Sequence, residues 1–213
     1  MRRGGSARID GWPRGEVHVS DAAMPLSPPA GRQHLHTRAI DMRGYQRDDG
    51  MFDIEAHLED TKTYAFSNFD RGQVQPGEPL HGMWLRLTVD ESMVIRDVEA
   101  VSDFTPYTVC PQATPNFRAL IGASIGVGFN RVVKERVGGV LGCTHLREVL
   151  AQMATVAYQT IGPVKWRRAE AARAAAKAAG EPLPPRRNLA IGSCLAYAPD
   201  SPVVQRHLAQ AEE

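Results

Sequence analysis

Alternation of apolar and polar residues first becomes regular at Phe52. Phe52, Ile54, Ala56 and Leu58 take one phase, while Asp53, Glu55, His57 and Glu59 take the other. That period of two predicts a strand with one wet face. A polar stretch bearing Gly and Pro, residues 68–79, reads as a loop. Leu85, Leu87 and Val89 then alternate with Arg86 and Thr88, Asp90-Glu91-Ser92 supplies turn residues, and residues 93–101 return as a second strand. This is the pattern of an antiparallel hairpin, expected to pair with the strand at 52–58. The period then lengthens. Thr114 stands where a helix cap is expected, with Pro115 at the first helical position, where its missing N–H costs nothing. Phe117, Leu120, Ile121, Phe129, Val132 and Val133 supply the buried stripe, with a glycine-rich middle at 122–128 read as a kink or break. A further helix opens at Cys143-Thr144-His145 and carries Leu146, Val149, Leu150, Met153, Ala154, Ala157 and Ile161 on one face.

The organisation that follows is a disordered leader over 1–31, an α+β core domain over 32–162, a basic Ala/Pro-rich helix and linker over 163–188, and a C-terminal segment over 189–213. The core is expected to be a three-stranded antiparallel sheet with helices packed on one face. Composition changes little in this picture. Among 213 residues, 25 basic and 24 acidic side chains give a net charge of +1. That balance argues against nucleic acid or an anionic membrane as partner. The longest apolar run, 121–129, is too short to span a bilayer, and the N-terminal arginines precede no apolar segment of a secretory signal. Three cysteines, an odd number, point to reduced thiols in a cytoplasmic setting.

Those thiols are the first candidate chemistry. His81 stands just before the hairpin and Cys110 just after it, and a hairpin returns both ends to one edge of the sheet. Cys143 and His145 open a helix whose N-terminus, aimed at that edge, would complete a set of four metal donors. Two thiolates and two imidazoles suit tetrahedral zinc or an iron centre, and helix N-terminal N–H groups favour a thiolate at Cys143. The spacing matches no zinc-finger pattern, and the same residues also fit a plainer role as buried cysteines and hydrogen-bonded histidines. Asp53 and Glu55, sharing a strand face with His57, are the candidate acid–base residues; a solvated strand face explains them equally in kind. The glycines of 122–128 lack the Lys-Ser/Thr of a phosphate loop. The basic stretch 165–177 reads as an exposed helix.

Three segments carry a resemblance. GYQRDDGMFDIEAHLEDTKTY, LHGMWLRLTVDESMVIRDVEA and GCTHLREVLAQMATVAYQT resemble the signature segments of an uncharacterised bacterial family, domain of unknown function 2889. The order of hairpin, loop Cys and helix-opening Cys is also distantly similar to IscU/SufU-type iron–sulfur scaffold proteins. That likeness implies an IscU-like fold, with Cys110 and Cys143 at ligand positions and His81 where the scaffold has a ligand Asp. Pro79 and Gly142 stand where the scaffold has its first Cys and a His, so three ligands with an open position are implied rather than a full cluster cradle. The reading that results is a metal-binding enzyme, zinc or iron, acting on a small molecule through Asp53 or Glu55. Its alternative is a non-catalytic carrier that hands metal, sulfur or a cluster to an acceptor protein. Cys194 is expected to lie outside the metal's ligands.

Overall fold

The computed structural model describes residues 26–184 and 191–209, so most of the leader and part of the linker lie outside the described residues. The chain falls into two units, 1–34 and 35–213. Of the first, residues 26–34 are exposed and carry neither helix nor strand.

The second unit is α+β. Its main sheet is four-stranded and antiparallel throughout, built from β1 (His36–Gln46), β2 (Phe52–Lys62), β5 (His81–Val89) and β6 (Ile95–Phe104), side by side in that order. A small ribbon of β3 (Phe66–Asn68) and β4 (Gly72–Val74) fills the connection between β2 and β5. The sheet therefore has one strand more than the three expected. The additional strand, β1, is an edge strand in which only Ile40 and Met42 pack against the core. Two core-packed positions in eleven, with Ala39 and Tyr45 out of phase with them, leave no visible alternation, yet β2 pairs along the whole of it.

Every second residue of β2 and β5 is buried, from Phe52 to Leu58 and from Met83 to Val89. These side chains form one cluster with Ile95, Phe117, Leu120, Phe129, Val133 and the buried stripe of α2 (Thr144–Ala179). The segment after β6 departs from the expected helix. Cys110–Leu120 is a 3-10 run, with Pro115 inside it, and Thr114 donates its hydroxyl to the Pro111 carbonyl at 2.9 Å instead of capping a helix. Pro111 and Pro115 lack the N–H groups that an α-helix would use there. The glycine-rich stretch is a loop stitched along the start of β6: Gly122 N–H donates to the Ile95 carbonyl at 2.8 Å, Ile95 N–H to the Ala123 carbonyl at 2.9 Å, and Ile125 N–H to the Met93 carbonyl at 2.7 Å. Only then does α1 (Phe129–Val137) begin, burying Phe129, Val133 and Val137 at helical spacing.

The helix α2 runs through Gly162-Pro163 without a break, for 36 residues. Proline removes one i→i−4 bond, but alanine- and arginine-rich flanks of high helix propensity carry the helix past it. Its buried positions end at Ile161, so the basic half lies beyond the core. A last helix, α3 (Pro202–Ala209), follows the 3-10 turn Leu195–Tyr197. No helix among the described residues is long and apolar enough to cross a membrane.

Candidate metal centre

Arg38 on β1, Asp60 on β2 and His81 on β5 are direct cross-strand partners. All three lie in phase with the apolar face: Asp60 continues the series Phe52, Ile54, Ala56, Leu58, and His81 opens the series Met83, Leu85, Leu87, Val89. The sheet thus drives a carboxylate into the edge of its own core, where Asp60 is only 2% exposed. An ionised carboxylate there must be paired, and it is paired heavily. Arg38 donates from Nε to Oδ1 and from Nη2 to Oδ2, each at 2.8 Å. His81 Nδ1 is 3.0 Å from Oδ2, and His36 Nε2 is 3.2 Å from Oδ1. Burial pushes the Asp60 carboxyl upward, but the Arg38 fork outweighs it and, with His81 and His36, holds the group below the usual carboxylate range. Arg38 also donates to Glu148 on α2 at 2.9 Å, which ties the sheet edge to that helix.

The first turn of α2 supplies the rest. Cys143 is its N-cap residue and His145 its second helical residue. The His145 ring lies against that of His81, with centroids 3.8 Å apart and planes at 33°. Its Nε2 is 3.9 Å from Asp60 Oδ2, and its Nδ1 is 3.8 Å from Cys143 Sγ, which also touches Met83 Sδ. Burial pushes both imidazoles toward the neutral form. His145 adds to that effect at His81, and Arg38 adds to it at His145; in each case this outweighs the attraction of Asp60. Because an ionised carboxylate only accepts, His81 Nδ1 carries the proton shared with Asp60, and its Nε2 presents a lone pair.

Asp60, His81 and His145 offer donor atoms that all lie within 4.8 Å of one another. The three are not equivalent as ligands. Both Asp60 oxygens already accept from a guanidinium, whose charge opposes a cation at the same atoms. Asp60 fits better as the carboxylate behind His81, the partner that fixes tautomer and ring orientation at metal-ligating histidines. The 3.8 Å between Cys143 Sγ and His145 Nδ1 is too long for a strong hydrogen bond. It is close to the roughly 3.6 Å separating a thiolate and an imidazole nitrogen on one tetrahedral zinc, given bonds of ~2.3 and ~2.0 Å.

An open cleft of about 850 Å³ lies over the cluster and is lined by His81, Cys110, Cys143 and His145 together. The four donors named from the sequence therefore face one space, though neither cysteine belongs to the tight Asp60–His81–His145 group. Cys110 begins the 3-10 run, its N–H donating to the Tyr107 carbonyl at 3.1 Å. Cys194 is exposed and does not line the cleft, and all three cysteines are free thiols. Asp53 and Glu55 lie in the opposite phase of β2, on the other face of the sheet. There Asp53 accepts from the Thr88 hydroxyl at 2.7 Å and Glu55 from Arg86 Nε at 2.7 Å. The structure does not bring them to the cluster. Asp60, Arg38 and His36 are the site residues that sequence reasoning passed over; a carboxylate on the apolar phase of an alternating strand was the available signal.

The sequence matches, over residues 36–159, the family described as protein of unknown function, DUF2889. The chain belongs to that family. No curated protein matches the sequence, and no solved structure matches it.

Proposed function

Starting from membership in a family described only as of unknown function, we propose that the protein binds a transition metal, zinc or iron, at the edge of the β1-β2-β5 sheet and acts there on a small molecule. His81 Nε2 and His145 would serve as neutral imidazole ligands, Cys143 as a thiolate, and Cys110 as a further thiolate from the cleft wall. The observation that carries this reading is the stack of two histidines, both held toward the neutral form, beside a thiol and backed by a carboxylate that Arg38 saturates. Neutral imidazole and thiolate are the protonation states that metal binding requires. When bound, such an ion would activate water or polarise a carbonyl. The protein's own part is orientation: Asp60 holds the His81 tautomer, and Arg38 and Glu148 fix the helix end that carries His145. Asp53 and Glu55 are not retained as the acid–base pair. Free thiols at all three cysteines suit a reducing, cytoplasmic setting.

A second reading, a carrier that hands metal or a cluster to an acceptor protein, is favoured by the rim of the cleft, where Val109, Val140 and Leu141 stand exposed. The order of hairpin, loop Cys110 and N-cap Cys143 is the feature on which the proposed likeness to IscU/SufU-type scaffolds rests. Elemental analysis of the dialysed full-length protein tests both. The expected result is about one zinc or iron per chain, lost in His81→Ala, Cys143→Ala and His145→Ala and kept in Cys194→Ser. Metal that stays through dialysis favours the enzyme, and transfer to an apo-acceptor favours the carrier. Wild-type protein without stoichiometric metal, or equal loss in all four variants, overturns the proposal.

A further inference from the structure

The cleft has a chemical character of its own. Its walls include Phe66, Leu80, Met83, Tyr107, Val109 and Val140, and no lysine, arginine, aspartate or glutamate is among the described residues that line it. The charge of the site lies behind it: Arg38 and Asp60 neutralise each other beneath the histidines and do not reach the lining. Its polar lining consists of uncharged groups. Of these, Asn116 is engaged with the Leu141 carbonyl at 2.8 Å, and Asn68 caps the β3–β4 turn through its oxygen. Gln112 presents its side-chain amide, and the thiols and imidazoles stand at the floor. The walls are braced. Asp70, at the tip of the β3–β4 ribbon, accepts from Thr108 N–H at 2.6 Å and from its hydroxyl at 3.0 Å, which fastens the ribbon to the loop after β6. Arg71, next to Asp70 in the same turn, donates to the Pro79 carbonyl at 2.6 Å and pairs with Glu78, which ties the ribbon's tip to the segment before β5. Preformed apolar clefts of this kind with a few convergent polar groups are the usual form of a small-molecule site.

We infer that this cleft takes an uncharged molecule with a flat apolar or aromatic body, and that it discriminates against anions. The inference deepens the proposed function, because it names the class of molecule that would meet the Cys/His cluster. Its basis is separate from metal binding. In the metal-free protein a sulfonate, phosphate or carboxylate entering this space would leave water and meet no cationic side chain among the described residues of the lining, which is unfavourable, while an aromatic body would bury against Phe66, Tyr107 and Met83.

The test uses a matched pair of fluorescent ligands on the full-length protein: N-phenylnaphthylamine, which is neutral, and anilinonaphthalene sulfonate, the same body with an anion attached. The expected result is binding of the neutral ligand at least about tenfold tighter than its anionic counterpart. Val109→Lys, a substitution at an exposed rim position, should weaken the neutral ligand several-fold and strengthen the anionic one. Leu195→Lys, at a still more exposed position outside the cleft, should change neither. Equal or tighter binding of the sulfonate to wild-type protein, or the same response to both lysine variants, overturns the inference. Titrations are repeated after chelator treatment, with metal content measured on the same sample. Neutral-ligand selectivity in protein that carries no metal before the chelator is added would refute the metal centre alone, and metal without selectivity in the chelated sample would refute this inference alone.

Discussion

Gly44 sits on β1 opposite Ile54, on the face that α2 covers, at the point where Thr160 of the helix meets the strand. A methyl group at Gly44 would stand 1.8 Å from Thr160 Oγ1 and 2.8 Å from both Cβ and Cγ2 of that residue. Carbon atoms in contact settle at roughly 3.5–4.0 Å. Rotating the threonine moves Oγ1 and Cγ2 but leaves the 2.8 Å overlap with Cβ, which cannot move without the helix. Gly44→Ala must therefore separate β1 from α2, and overpacking of this kind costs about 1–3 kcal/mol. Replacing a strand glycine returns roughly 0.5–1 kcal/mol by restricting the unfolded chain, which leaves a net loss of about 1–2 kcal/mol. Thr160→Ala alone should change stability by less than about 1 kcal/mol: the hydroxyl bonds only to Val156 O within the same helix, and alanine is the better helix former. Combined, the two substitutions should recover at least half of the loss, because the hydroxyl and methyl of Thr160 are gone. Urea titrations followed by far-ultraviolet circular dichroism give all four stabilities and hence the coupling. Strict additivity, or a Gly44→Ala protein as stable as wild type, would refute the close approach of strand and helix.

Three further outcomes follow from features already described. Leu87 is fully buried between β2 and the helices, so Leu87→Ala should cost about 2–5 kcal/mol in the same titration. Asp90 accepts the N–H groups of Ser92 and Val94 at the β5–β6 turn and pairs with Arg96. Burial raises its carboxyl, but these bonds prevail and hold it below its ordinary value. Its contribution is therefore present above the unfolded carboxylate range of about 4 and lost as pH falls through the folded value. Asp90→Asn should be less stable than wild type by about 1 kcal/mol at neutral pH, with the gap closing in acid; a gap that widens below pH ~3 contradicts this. Glu55→Gln, on the far face of the sheet, should leave metal content and ligand selectivity at wild-type levels, and loss of either would return that face to the site.

The hairpin was legible because β5 obeys a period of two and Asp90-Glu91-Ser92 marks its turn, although β6 breaks that period between Ile95 and Val98, and β2 because Phe52 to Leu58 alternates in the same way. Edge strand β1 was not, since one of its faces meets the core only through Ile40 and Met42 and ends in Arg38 and His36. The segment after β6 misled for a different reason: Thr114-Pro115 is a sound start for a helix, but Pro111 upstream and the loop's pairing with β6 favour a 3-10 run. Likewise Gly162-Pro163 is a local stop signal, and the helical flanks override it. At the site, the shared cleft of His81, Cys110, Cys143 and His145 followed from the hairpin and the N-cap, which are short-range features. Asp60 required knowing that the β2 strand extends past Leu58, and Arg38 required the missing strand.

The pairing of β1, β2 and β5 has a consequence for how this family can vary. Successive side chains of a strand alternate faces, so a slip of β2 by one residue would expose Phe52, Ile54, Ala56 and Leu58 together and carry Asp60 to the opposite side from His81. The alignment that hides the apolar side chains is thus the same one that sets guanidinium, carboxylate and imidazole in a row. Descendants that keep a folded sheet inherit the row's geometry without separate selection, and can lose its chemistry only by replacing those side chains one at a time.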